Sequence, residues 1–129
     1  MQKRLLPFVV AALSVIAAAV RVEAHAFLVR AEPRVGSKVN KVPTEVRVWF
    51  SETVQARVSR IQVFDVSGKQ VDKKDAHLDR ANRALLHVSL RSVLAPGIYK
   101  VTWRVTSVDT HVTNGDFRFQ IIPQSEQTH

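Results

Sequence analysis

The sequence predicts an all-β fold, an Ig-like β-sandwich or Greek-key barrel, built as a single domain once a signal peptide is removed. Three observations predict it. Apolar residues recur with a period of two along most of the chain, and helical periodicity is weak. Short runs rich in β-branched and aromatic residues are separated by turn signals at Glu32-Pro33, Ser67-Gly68 and Pro96-Gly97. Each run offers one apolar face, which two packed sheets require.

The elements follow in order. Ala26–Ala31 reads as a first strand, closed by Glu32-Pro33 and Gly36. In Thr44–Phe50, Val46, Val48 and Phe50 share one face and Glu45, Arg47 and Trp49 the other. Val58–Val66 is rich in β-branched residues and ends at Ser67-Gly68. The mixed-charge segment Lys69–Arg83 reads as an excursion between strands. Leu86, Val88 and Leu90 alternate with Leu85, His87 and Ser89. Tyr99, Val101, Trp103 and Val105 line one face of the next strand, and Phe117, Phe119 and Ile121 one face of the last. A short helical turn fits somewhere without a defined place. The polar segment 123–129 reads as a flexible C-terminal tail.

Residues 1–24 read as a cleaved signal peptide. Lys3 and Arg4 form a positive start, Leu5–Val20 is apolar apart from Ser14, and Val22 and Ala24 sit at the −3 and −1 positions of a small-residue cleavage site. The apolar run is short for a membrane span of ~20 residues and charge soon follows it. An uncleaved anchor is the alternative. The protein is therefore expected to be exported, with 25–122 as its folded domain. Of 129 residues, 105 remain after the 24 are removed. The leader takes three of the 19 basic and one of the 11 acidic residues, which leaves a formal charge of +6.

That charge is scattered along the sequence, which reads as a solvated surface, and no nucleic-acid partner is expected. The sequence contains no cysteine, and Met1, its one methionine, leaves with the leader. No disulfide forms, and no soft sulfur ligand exists for a metal.

Cleavage after Ala24 would make His25 the first residue, with an α-amino group and an imidazole able to chelate one metal. A cut after Ala26 would remove that histidine. Of the other histidines, His77 and His87 read as surface residues and His129 as part of the tail. Asp109 and His111 are two apart, so an extended backbone would point them to one side. Such a pair is also common as a hydrogen-bonded turn. Together with His25 it makes a set of three nitrogens and one oxygen. That set suits tetragonal Cu(II), whereas zinc prefers a tetrahedron and Cu(I) prefers sulfur.

These residues resemble the CopC-type periplasmic copper-resistance proteins over nearly the whole mature chain. The resemblance runs through His25–Leu28, Ala31-Glu32-Pro33 with Gly36, Val48–Glu52, Pro96–Tyr99 and Val101-Thr102-Trp103. It closes on Ser107, Asp109, His111, Gly115 and Phe117-Arg118-Phe119. It implies a copper-resistance or homeostasis protein, without enzyme activity. One Cu(II) per chain would be held by His25 through amine and ring, with Asp109 and His111. It also implies sequestration, or delivery to a CopD-type inner-membrane copper transporter, by a monomer. No methionine stands in the stretch 76–88, where some members carry a Cu(I) site, so none is expected. Thr110 replaces the glycine the family often has between the ligands, and Thr53 a frequent proline. Glu52 and Trp103 are read as a surface carboxylate and a core aromatic. Two other classes use the same residues: a copper-dependent oxidative enzyme with a histidine brace, and a metal-free β-sandwich interaction domain.

Overall fold

A computed structural model describes residues 26–124. The leader, His25 and the tail beyond residue 124 lie outside the described residues. Among the described residues, eight strands form two four-stranded sheets. They are β1 (Leu28–Glu32), β2 (Lys38–Val39), β3 (Glu45–Phe50), β4 (Arg60–Phe64), β5 (His77–Leu78), β6 (Leu85–Ser89), β7 (Gly97–Thr106) and β8 (Val112–Ile121). One sheet runs β1-β3-β6-β5 and the other β2-β8-β7-β4. All neighbours are antiparallel except β2 and β8. The fold is the expected all-β sandwich.

The alternation read from the sequence places the core. Val46, Val48 and Phe50 from β3 face Tyr99, Val101, Trp103 and Val105 from β7 and Phe117, Phe119 and Ile121 from β8, all buried. Leu86 and Val88 complete the inner face of the first sheet. Sheets can bury one face each because side chains alternate across the pleat. Trp103 is a core aromatic, edge-on to Phe50 with ring centroids 5.3 Å apart.

Two expectations are revised. The run Val58–Val66 is shorter as a strand. Val58 belongs to a single 3-10 turn, Ala56–Val58, and Val66 is exposed. The strand stops after Phe64 because the Asp65 carboxylate accepts hydrogen bonds from the Ser67 N–H, the Ser67 hydroxyl and the Lys69 N–H, which bends the chain into a turn.

The excursion Lys69–Arg83 is tied to the core rather than solvated throughout. It contains β5, and Val71 and Leu78 are buried. Its anchor is Asp72, 1% exposed, whose carboxylate accepts from the Val63 N–H at 2.8 Å and from Gln70 Nε2 and the Lys74 N–H at 3.1 Å. A carboxylate buried this deeply is tolerable because its oxygens are hydrogen-bonded.

Of the two readings of the stretch 107–111, extended chain or hydrogen-bonded turn, the structure shows the turn, set between β7 and β8. The Ser107 N–H donates to the His111 carbonyl at 2.9 Å, and the Thr110 N–H donates to the Ser107 carbonyl at 3.0 Å. Backbone bonds within the turn replace the ladder there.

Candidate metal centre

Three chain segments meet at one end of the sandwich. The first holds Ala26 and Phe27, just before β1. The second, 51–55, leaves β3. The third is the 107–111 turn with the start of β8. The Ser51 N–H donates to the Phe27 carbonyl at 2.8 Å, and the Phe27 N–H donates to Ser51 Oγ at 2.9 Å. Val54 bridges Ser107, and Gln55 Nε2 donates to the Ser107 carbonyl at 2.8 Å. The Thr113 hydroxyl donates to the Ala26 carbonyl, so Ala26 is held two residues past His111.

On this platform the turn brings Asp109 and His111 together. Asp109 Oδ2 lies 3.0 Å from His111 Nδ1, with both side chains about two-fifths exposed. The expected juxtaposition is therefore present, although a turn produces it and not an extended strand. Thr110 takes φ +71, in the left-handed region. That is the conformation for which glycine is best suited and a β-branched residue poorly suited.

Ser107 received no role from the sequence beyond its place in the resemblance. It is buried, at 1% exposure, and its hydroxyl donates to Asp109 Oδ1. One carboxylate oxygen is thereby held by the protein while the other faces His111. The Ser107 hydroxyl first, and then the His111 ring, hold the Asp109 carboxyl below its usual range. The group is a carboxylate at neutral pH, the form a metal requires.

Asp109 and His111 supply two potential metal donors. Among the described residues, no group of three or more His, Cys, Asp or Glu side chains is placed to hold a metal ion. The third expected ligand, His25, lies outside the described residues. Glu52 is exposed on the adjoining segment. The donors present are an imidazole nitrogen and a carboxylate oxygen on an accessible turn. They fit a divalent first-row metal better than a soft monovalent one.

The other described histidines serve the fold. His87 points outward, as expected, but it is not a simple surface residue. Its Nδ1 lies 3.1 Å from Glu45 Oε1 and its Nε2 2.9 Å from Asp79 Oδ1, and only 12% of the side chain is exposed. The His77 ring stacks on it at 5.3 Å. Cross-strand pairing makes these contacts, since Arg47 and His77 both lie opposite His87.

The domain is thus a two-sheet β-sandwich with a carboxylate–imidazole pair on the turn joining its two longest strands. Residues 28–122 match the family model of the CopC domain, and the chain belongs to that family. It is 29% identical over 98 residues to copper transport protein CutJ of Bacillus subtilis, covering 76% of this chain. The chain spans only 18% of that relative's length. It is 31% identical to protein YobA of Escherichia coli K12, over 76% of this chain and 79% of that protein. Among solved structures it is similar to CopC from Methylosinus trichosporium OB3b, with TM-score 0.71 and 32% identity, covering 77% of this chain and 95% of that one. It is also similar to PcoC, a methionine-rich copper resistance protein from Escherichia coli, with TM-score 0.66 and 27% identity, covering 77% of this chain and all of that one. Copper stands in the descriptions of two of these relatives, one a copper transport protein and the other a copper resistance protein.

Proposed function

We propose that this chain, once cleaved after Ala24, binds one Cu(II) in the periplasm through the amine and imidazole of His25, the carboxylate of Asp109 and the imidazole of His111. The observation that carries the reading is the Asp109–His111 pair, 3.0 Å apart, at the end of the sandwich where Ala26 is held. Covalent geometry keeps the residue before Ala26 within one Cα step of it, about 3.8 Å. An amine and a ring on one residue close a chelate and lower the entropic cost of capture. The amine exists only after cleavage, since in the precursor the same nitrogen is an amide. Asp109 offsets part of the metal's charge, and the Ser107 hydroxyl keeps it oriented.

The absence of cysteine and of any methionine beyond Met1 supports Cu(II) over Cu(I), in contrast to the methionine-rich relative. The role is binding without turnover, by a monomer that sequesters copper or passes it to a CopD-type inner-membrane transporter. That one relative joins a matching segment to a much longer copper transport protein supports the delivery partner.

The test is electron paramagnetic resonance of the chain beginning at His25 with one equivalent of Cu(II). A single tetragonal signal with nitrogen couplings is expected, lost when one extra residue precedes His25. Indifference to that residue would remove His25 from the ligand set. Full retention of the signal after Asp109→Ala and His111→Ala together would leave a metal-free interaction domain as the better reading. Peroxide consumption with a reductant would indicate an oxidative enzyme instead, and none is expected.

A further inference from the structure

The scattered positive charge of the sequence is gathered by the fold onto one face. On the outer side of the β2-β8-β7-β4 sheet, Arg60 of β4 lies opposite Arg104 of β7, and Lys100 of β7 lies opposite Arg118 of β8. Arg60, Arg104 and Arg118 are exposed and Lys100 is half-buried. All four share the face opposite the core residues Ile61, Val101, Trp103, Val105, Phe117 and Phe119. None of the four forms an ion pair among the described residues. Among the described residues, the one carboxylate on the strands of this face, Asp116, sits opposite Thr102 between the two cation pairs.

The other sheet makes a useful contrast. Its outer face runs as a chain of contacts from Arg30 to Glu32, Arg47, Glu45, His87 and Asp79, each arginine next to a carboxylate and the His87 ring between two. One face neutralises itself and the other does not. Burying unpaired cations against a neutral partner would cost their hydration. Holding them near fixed negative charge would not, and electrostatic attraction selects an anionic partner.

We infer that the outer face of the β2-β8-β7-β4 sheet docks peripherally on an anionic bilayer surface. Three features favour a bilayer over an acidic protein. The two cation pairs are set four residues apart along β7, about 13 Å, so each pair can meet a different headgroup phosphate in one plane. A hollow of about 310 Å³ lies beside the first pair, lined by Arg60, Arg104, Gln62, Thr102 and Asn114 as well as Asp116, and its side-chain donors suit a phosphodiester. Exposed alkyl groups also stand on the same face, Ile98 beside the Lys100–Arg118 pair and Val112 at the far end of β8. Basic residues combined with a few apolar ones characterise reversible interfacial binding. No described helix is long and apolar enough to cross a membrane, and none is needed for such docking. The inference stands apart from the copper reading, since it uses none of the proposed ligands.

The experiment is co-sedimentation of the chain beginning at His25 with vesicles of phosphatidylcholine containing about one third phosphatidylglycerol, against pure phosphatidylcholine. Every described strand and core residue lies between Ala26 and Ile121, so this form carries the whole described fold. Binding to the anionic vesicles alone is expected, weakening as salt is raised. The variant Arg60→Gln, Lys100→Gln, Arg104→Gln, Arg118→Gln should lose at least about tenfold in partitioning. A control with equal net charge, Lys73→Gln, Arg80→Gln, Arg83→Gln, Arg91→Gln, should lose less than about threefold. The pair Lys100→Gln with Arg118→Gln should fall between, and circular dichroism checks that each variant is folded. Equal losses in the two quadruple variants would reduce the effect to net charge and overturn the inference. So would absence of binding to anionic vesicles. Capture by poly-glutamate through these residues, without vesicle binding, would assign the face to an acidic protein and overturn the bilayer.

Discussion

The indole of Trp103 lies across Gly115, its partner on the neighbouring strand, so closely that a Cβ at residue 115 would fall 2.6 Å from Cζ2 and 2.9 Å from Cε2. Space decides this glycine, since its φ is not among those in the left-handed region. The indole also meets Phe50 of the opposite sheet edge-on, so it has little room to retreat.

Gly115→Ala is expected to destabilise the domain by about 1–3 kcal/mol, the usual cost of overpacking a filled core. Urea unfolding followed by Trp fluorescence measures it. A change below about 0.5 kcal/mol would mean that the indole moves freely.

Thr110→Gly is expected to act in the other direction. A β-branched residue in the left-handed region costs about 1–2 kcal/mol, and part of the gain is returned as extra backbone entropy in the unfolded chain. A net stabilisation of about 0.5–1 kcal/mol should appear in the same unfolding measurement. A loss of stability would show that the hydrogen bond from the Thr110 hydroxyl to the Asp109 carbonyl outweighs the strain.

Ser107→Ala tests how the carboxylate is held. Removing the hydroxyl frees Asp109 Oδ1 and lets the side chain rotate away from His111. Under the proposed ligand set, Cu(II) affinity should fall by about tenfold, at the lower end of the range for groups that orient a ligand. Competition titration against a chelator reads this, and unfolding curves separate it from loss of fold. Unchanged affinity would leave Ser107 a purely structural residue.

Acid should act on the other sheet through Asp79. The His87 ring first, then the Ala81 N–H, hold its carboxyl below its usual range. A carboxyl lowered on folding adds stability above its unfolded value and loses that contribution as pH falls through the folded value. The protein should therefore lose stability below about pH 4. Asp79→Asn should be less stable than the parent at neutral pH and should show a shallower decline in acid. Parallel stability–pH curves for the two proteins would remove Asp79 as a contributor.

Copper binding carries its own pH dependence. Under the proposed ligand set, the amine and imidazole nitrogens must lose protons to bind, so affinity should weaken as pH falls. Isothermal titration at neutral and at mildly acidic pH checks it. Affinity that stays flat would argue against nitrogen ligation.

What the sequence determined is the set of local choices. Alternation assigned the buried faces of β3, β7 and β8, because each side chain in a strand can point only one way or the other. The turn signals after β4 and before β7 fell where the chain does turn. The Asp109–His111 pair was legible because its members are neighbours in the chain. The tertiary structure decided whatever depends on residues far apart in sequence. Asp72 became an internal anchor only because Val63 lies beside it. His87 acquired two carboxylates because β3 and the segment after β5 flank β6. Ser107 acquired a role because the turn folds its hydroxyl onto Asp109. Arg60, Lys100, Arg104 and Arg118, scattered along the sequence, became one positive face because antiparallel pairing sets distant residues side by side. Periodicity specifies which face of a strand a residue occupies, whereas only strand pairing specifies its neighbours on that face.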